Sequence, residues 1–103
     1  ATSSLKFGHS AYGLTKACVN AMTKYLAHTF APSVRVLTII PGLIELDEID
    51  QEFRKTRAGQ SPLKRNVTPE ELGLLVVAAA SPAYRSVTGV DITADGGFWL
   101  LHP

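Results

Sequence analysis

Tyr12 and Lys16 stand four residues apart in the stretch Ala11-Tyr12-Gly13-Leu14-Thr15-Lys16. On a helix that spacing puts a phenol and an ammonium one turn apart on the same face. The ammonium favours the phenolate, which pulls the tyrosine's pKa down from the ordinary phenol range toward neutrality. A phenol tuned in this way can pass a proton to or from a carbonyl or alcohol oxygen near neutral pH. Tyr and Lys at this spacing also recur by chance, so the pair takes its meaning from the elements that hold it.

Those elements can be read in chain order. Residues 1–10, ATSSLKFGHS, are small and polar without a period, and read as a loop leading into a helix with Ser10 as its N-cap. The helix runs from Ala11 to about Phe30. Its apolar positions, among them Leu14, Cys18, Val19, Met22, Tyr25 and Leu26, cover more than one stripe, so burial on most sides is expected. One face should pack on a sheet and another on a second subunit. Pro32 ends it. Residues 33–40, SVRVLTII, form a nearly continuous apolar, β-branched run before Pro41-Gly42, as in a strand covered on both faces of a parallel sheet.

Residues 43–66 are polar, charged and weakly periodic, with a short helix expected at about 47–58. A stretch of that length between core elements reads as a flap over substrate. Thr68-Pro69-Glu70-Glu71 then reads as an N-cap, a proline at the first helical position and an acidic first turn. The helix it opens runs to about Ala80 and is closed by Pro82. Residues 86–93, SVTGVDIT, form a second strand, followed by the turn Ala94-Asp95-Gly96-Gly97 and a short tail, FWLLHP. Helix, strand, flap, helix, strand is one crossover unit of an α/β sheet. Two buried strands without flanking neighbours are marginal alone, which marks the chain as the later half of a larger fold.

Composition narrows the function. A chain of 103 residues, 46% hydrophobic, has the make-up of a small globular domain. A net charge of +1 without a basic run speaks against nucleic acid or an anionic membrane as partner. The single cysteine, Cys18, lies among apolar residues and reads as a small core side chain. One cysteine and three scattered histidines offer no protein-only zinc site. No apolar run reaches the roughly 20 residues of a membrane span, so a cytoplasmic or other reducing setting is expected. His9, His28 and His102 have no carboxylate at triad spacing and read as surface residues, whereas Phe98 and Trp99 read as core or interface anchors.

With these residues in hand, the whole chain resembles the short-chain dehydrogenase/reductase family. Tyr12 and Lys16 look like that family's catalytic pair at the start of its long interface helix. Ser33-Val34-Arg35-Val36 with Ile40-Pro41-Gly42 looks like its strand and cofactor-binding turn. Val87-Thr88-Gly89, Ile92 and Asp95-Gly96-Gly97 look like its last strand and closing turn. Each motif is weak alone, and all three in order outweigh the ordinary turns they could be.

The resemblance implies a Rossmann-like, doubly wound parallel α/β sheet, with residues 1–103 as its C-terminal catalytic half and 43–66 as its substrate flap. It implies Tyr12 as proton donor and Lys16 as the group that acidifies it and holds the nicotinamide ribose. Pro41, Gly42, Leu43 and Ile44 would line the nicotinamide, with the backbone of Ile44 facing the carboxamide. NADP is the implied cofactor, with NAD not excluded. The implied partners are a small-molecule substrate, the missing N-terminal half with its glycine-rich phosphate loop, and a second subunit in a dimer or tetramer built on helix 11–30.

Three departures stand out. Leu37 and Leu46 occupy positions where the family usually has Asn and often Thr, and the family's third catalytic residue would fall before Ala1; Ser3, Ser4 and Ser10 are at the wrong spacing for it. Within the family, Thr2-Ser3-Ser4, LAHTFAPSVRV, the PGLIEL flap start and the tail FWLLHP look most like the pteridine and dihydromonapterin reductase branch. The alternatives are a generic ketone, alcohol or acyl-carrier reductase, and a non-catalytic interaction fragment.

Overall fold

The computed structural model describes the backbone from Phe7 to Leu101 and the side chains from Gly13 to Leu101. Helix α1 spans Phe7–Phe30, strand β1 Thr38–Pro41, helix α2 Gln51–Gly59, helix α3 Pro69–Ala80, strand β2 Asp91–Ala94 and helix α4 Phe98–Leu101, with a short 3-10 turn at Pro82–Tyr84. The chain divides into two compact units. One holds the residues up to Thr38 with Val87–Asp91, the other Ile39–Ser86 and the residues from Ile92 onward.

In the first unit α1 begins earlier than the sequence suggests. Residues 7–10, expected as a loop, are helical, so Ser10 is not its N-cap. Nothing between Phe7 and Phe30 forbids a helix, since a lone glycine such as Gly8 costs one only about 1 kcal/mol. The expected strand over 33–40 is shorter than the apolar run because its ladder is interrupted. Gly89 N donates to Val36 O at 2.7 Å and Thr38 N to Val90 O at 3.1 Å, so both chains advance together and the pairing is parallel. Just before these bonds the N–H of Val36 goes to the Thr88 hydroxyl, 3.0 Å away, instead of a ladder carbonyl.

In the second unit β1 continues beside β2, with Gly42 N donating to Ala94 O at 2.9 Å. Parallel neighbours need a long connection, and residues 43–90 supply it with two helices. Asp50 caps α2, its Oδ2 accepting from Phe53 N at 3.0 Å. The helix therefore starts at Gln51, a turn beyond the expected start near residue 47. Helix α3 keeps its expected bounds for the expected reason. Thr68 Oγ1 accepts from Glu71 N, and Glu71 Oε1 accepts from Thr68 N, closing a capping box behind Pro69. The expected tail is instead the start of α4, because the Asp95 carboxylate accepts from Gly97 N at 2.9 Å and Trp99 N at 3.1 Å.

The acidic end of α3 carries a pH dependence. Arg65 lies 2.5 Å from Glu71, and that bond, followed by the one from the Thr68 backbone, lowers the Glu71 carboxyl from 4.5 to about 2. A depressed carboxyl stabilises the fold above its unfolded value and loses that contribution as pH falls through the folded one. The helix start should therefore be secure above about pH 4.5 and loosen between there and about pH 2. An acid titration followed by far-UV circular dichroism, compared with Glu71→Gln, checks this. The variant should lack the dependence in that window, and in the wild type it should weaken at high salt because the pair is exposed.

Burial is shallow. Among the described residues Ala27 is the buried apolar side chain, while Thr23, Ser61 and Asn66 are buried polar ones. Leu14, Met22 and Tyr25 of α1, expected to be covered, are exposed, as are Leu74, Val76 and Val77 of α3. Strand β1 is half-buried rather than covered on both faces. Its only neighbour among the described strands is β2. No described helix is long and apolar enough to cross a membrane.

Candidate functional site

Helix α1 places residues 12 and 16 one turn apart in the first unit. The side chain of Tyr12 lies outside the described residues, as do those of Ser3, Ser4, His9, Ser10 and His102. Lys16 is half-buried. What moors this helix is a stripe of polar side chains that the sequence reading passed over. Asn20, one turn beyond Lys16, donates through Nδ2 to Asp91 Oδ2 at 2.6 Å. Buried Thr23 donates to Val19 O at 2.8 Å, and its hydroxyl is hydrogen-bonded to that of Thr38. Lys24 Nζ reaches Gly89 O at 3.3 Å. Three points thus tie α1 to the starts of both strands in its unit and fix the turn that carries Tyr12 and Lys16. The signal was available: Asn20 continues the Tyr12–Lys16 spacing by another four residues, a polar line down an otherwise apolar helix.

Pro41, Gly42, Leu43 and Ile44 lie in the second unit, at the end of β1. Gly42 is pressed against the closing turn. A Cβ built on it would sit 2.9 Å from both Cα and Cβ of Asp95, so no larger residue fits without moving the backbone. Beyond it the chain makes an isolated parallel bridge, Ile44 to Val67. Val67 N donates to Leu43 O at 3.1 Å, and Val67 O accepts from Glu45 N at 2.8 Å. In a parallel ladder a residue whose two neighbours are bonded this way turns its own N–H and C=O to the opposite side. Ile44 therefore presents a backbone donor and acceptor away from Val67. That can hold a planar carboxamide.

The closing turn is shaped by what packs on it. Gly96 and Gly97 have φ of 63° and 85°, a region side chains disfavour. A Cβ on Gly97 would meet Pro62 Cγ at 3.0 Å, and one on Gly96 would meet Ser61 Oγ and Arg65 O at 3.2 Å. Leu63 N donates to Gly96 O at 3.0 Å, and the Arg57 guanidinium lies 3.8 Å from the ring centroid of Phe98. Asp-Gly-Gly is thus the seat of the stretch 57–65, a role its reading as a tight turn did not supply.

Of the three departures, two lie among the described residues: Leu37 is half-buried and Leu46 is exposed, and neither side chain offers a polar group to a ligand. Gly42 and Leu43 line a crevice of about 10 Å³, with Asp95 and Phe98 among its other walls. The larger cavity of the unit, about 450 Å³, is apolar and lies against α3, lined by Leu63, Val67, Leu74, Leu75 and Ala78. None of the candidate cofactor residues lines it. Among the described residues no cluster of His, Cys, Asp and Glu could hold a metal.

A family profile described as enoyl-(acyl carrier protein) reductase matches residues 2–99. The chain is 38% identical over 98 residues to the peroxisomal 2,4-dienoyl-CoA reductase of Pongo abelii, covering 88% of this chain and 34% of that protein. It is 35% identical over 92 residues to Protein FixR of Bradyrhizobium diazoefficiens, covering 88% and 33%. A solved short-chain dehydrogenase/reductase of the glucose/ribitol dehydrogenase type from Brucella melitensis superposes with a TM-score of 0.74 at 36% identity. That match covers 84% of this chain and 37% of the other. The chain spans about a third of the length of the curated relatives it matches.

Proposed function

The chain belongs to the short-chain dehydrogenase/reductase family, and from that premise we propose that it is the C-terminal catalytic part of a nicotinamide-dependent oxidoreductase of Rossmann-like α/β fold. The observation that carries the proposal is the outward-turned backbone of Ile44 beyond a glycine that admits no side chain. Pro41, Gly42, Leu43 and Ile44 would line the nicotinamide, and Lys16 would hold its ribose hydroxyls. When bound, the cofactor supplies or accepts the hydride. Tyr12 would give the substrate oxygen its proton or take one from it, with Lys16 favouring the phenolate.

These contacts are common to NADPH and NADH, which share the nicotinamide ribose. NADPH goes with the pterin reading, which rests on the sequence pieces Thr2-Ser3-Ser4, LAHTFAPSVRV and FWLLHP. The broader reading, a short-chain oxidoreductase that interconverts a ketone and its alcohol or reduces an acyl-carrier substrate, has the support of a relative named for 2,4-dienoyl-CoA reduction. We place it first. A homodimer or homotetramer through α1 would cover the apolar face that Leu14, Met22 and Tyr25 expose.

Lys16→Met in the full-length protein tests the reading. It should weaken cofactor binding and move the pH–rate profile to higher pH, since the substitution removes both a ribose ligand and the charge beside the phenol. Cofactor titration and rates across pH check the two effects separately. Unchanged affinity with an unshifted profile would overturn the proposal.

A further inference from the structure

The bridge that turns Ile44 outward is itself held by a side-chain latch. Glu45 follows Ile44 directly, and its carboxylate bonds Arg54 in α2 and Asn66 at the far end of the 43–66 segment. Its Oε1 accepts from Asn66 Nδ2 at 2.6 Å, and its Oε2 pairs with Arg54 at 3.0 Å. Asn66 Nδ2 also donates to Arg54 O at 2.8 Å, and Arg54 Nε to Ile49 O at 3.0 Å. Asn66 is buried, so its amide must find partners inside the fold, and these bonds supply them. The Asn66 bond first, and then the Arg54 pair, hold the Glu45 carboxyl below the usual carboxylate range.

From this geometry we infer that Glu45, with Arg54 and Asn66, is a positioning device for the cofactor's carboxamide. The latch closes the segment into a loop whose two ends, residues 43–45 and 66–67, stay in register. Register is what the outward direction of Ile44 depends on, because a slipped bridge turns the backbone groups the other way. Glu45 acts through Ile44 and does not touch the ligand. The inference rests on the reading of Ile44 as a carboxamide contact, and it adds residues that no family motif quoted above includes.

The test compares two ligand types on the full-length protein. NADH and NADPH carry the nicotinamide carboxamide; ADP-ribose and 2′-phospho-ADP-ribose lack it. Glu45→Ala should weaken binding of the dinucleotides on the order of ten- to a hundredfold, the scale of two lost backbone hydrogen bonds to the carboxamide, while the ribose fragments bind as in wild type. Glu45→Gln keeps the acceptor for Asn66 and should fall between. If the alanine variant loses the fragments as well, Glu45→Gln and Arg54→Met decide by the same ratio. Equal loss of both ligand types in those milder variants, or no loss in any variant, overturns the latch. A wild-type protein that binds neither ligand type overturns the dinucleotide reading itself, and the latch with it.

Discussion

Replacing Tyr12 with Phe in the full-length protein is expected to lower turnover by roughly 10²–10⁴, the range typical of a positioned proton donor, while cofactor affinity stays close to wild type. The substitution removes one hydroxyl and keeps the ring, so packing around α1 is little changed. It also leaves Lys16, Asn20 and Thr23 in place, and with them the bonds that fix the helix on Asp91 and Thr38. Steady-state rates with cofactor titrations on the same samples check it. A variant that turns over at the wild-type rate would remove Tyr12 from the chemistry. Lost cofactor affinity with lost turnover would instead give the phenol a binding role.

The parts of the fold that were legible in the sequence are those decided by neighbouring residues. Thr68-Pro69-Glu70-Glu71 announced α3 because a cap, a proline and an acidic turn act within four residues of one another. The long helix was legible from its apolar positions, and the Pro-Gly and Asp-Gly-Gly turns from their glycines. The strand lengths were not, because Val36 loses its ladder bond to the Thr88 hydroxyl, a residue 52 positions away. Nor was the latch. Glu45, Arg54 and Asn66 are ordinary charged and polar residues in a weakly periodic stretch, and only the bridge at Val67 brings them together. Candidate site residues were legible as motifs, whereas the moorings that position them, such as Asn20 on Asp91, depend on contacts far apart in sequence.

Residues 1–103 expressed without the rest of a Rossmann-like sheet are expected to associate or aggregate and to bind no NADPH. In the first unit α1 exposes Leu14 and Tyr25 at 69% each. In the second, α3 exposes Leu74 at 71% and Val77 at 68%. Fully burying a side chain of this kind is worth roughly 1.5–3 kcal/mol. The stabilisation forgone at these positions is thus comparable to the few kcal/mol that hold a small domain together. Against it the described residues set one buried apolar side chain, Ala27, and a sheet of two four-residue strands. An isolated strand pair is marginal in water, and its outer edges remain open to pairing with other chains. The apolar cavity against α3 adds a second uncovered surface. Joined to a complete sheet of the relatives' length, of which this chain spans about a third, the same residues should form an ordered protein, since these faces would then have something to bury against. Light scattering for mass, near-UV circular dichroism for side-chain order and titration with NADPH check both forms. A cooperatively folded monomer of 103 residues that binds NADPH would sink the prediction, and with it the view that these faces are interfaces.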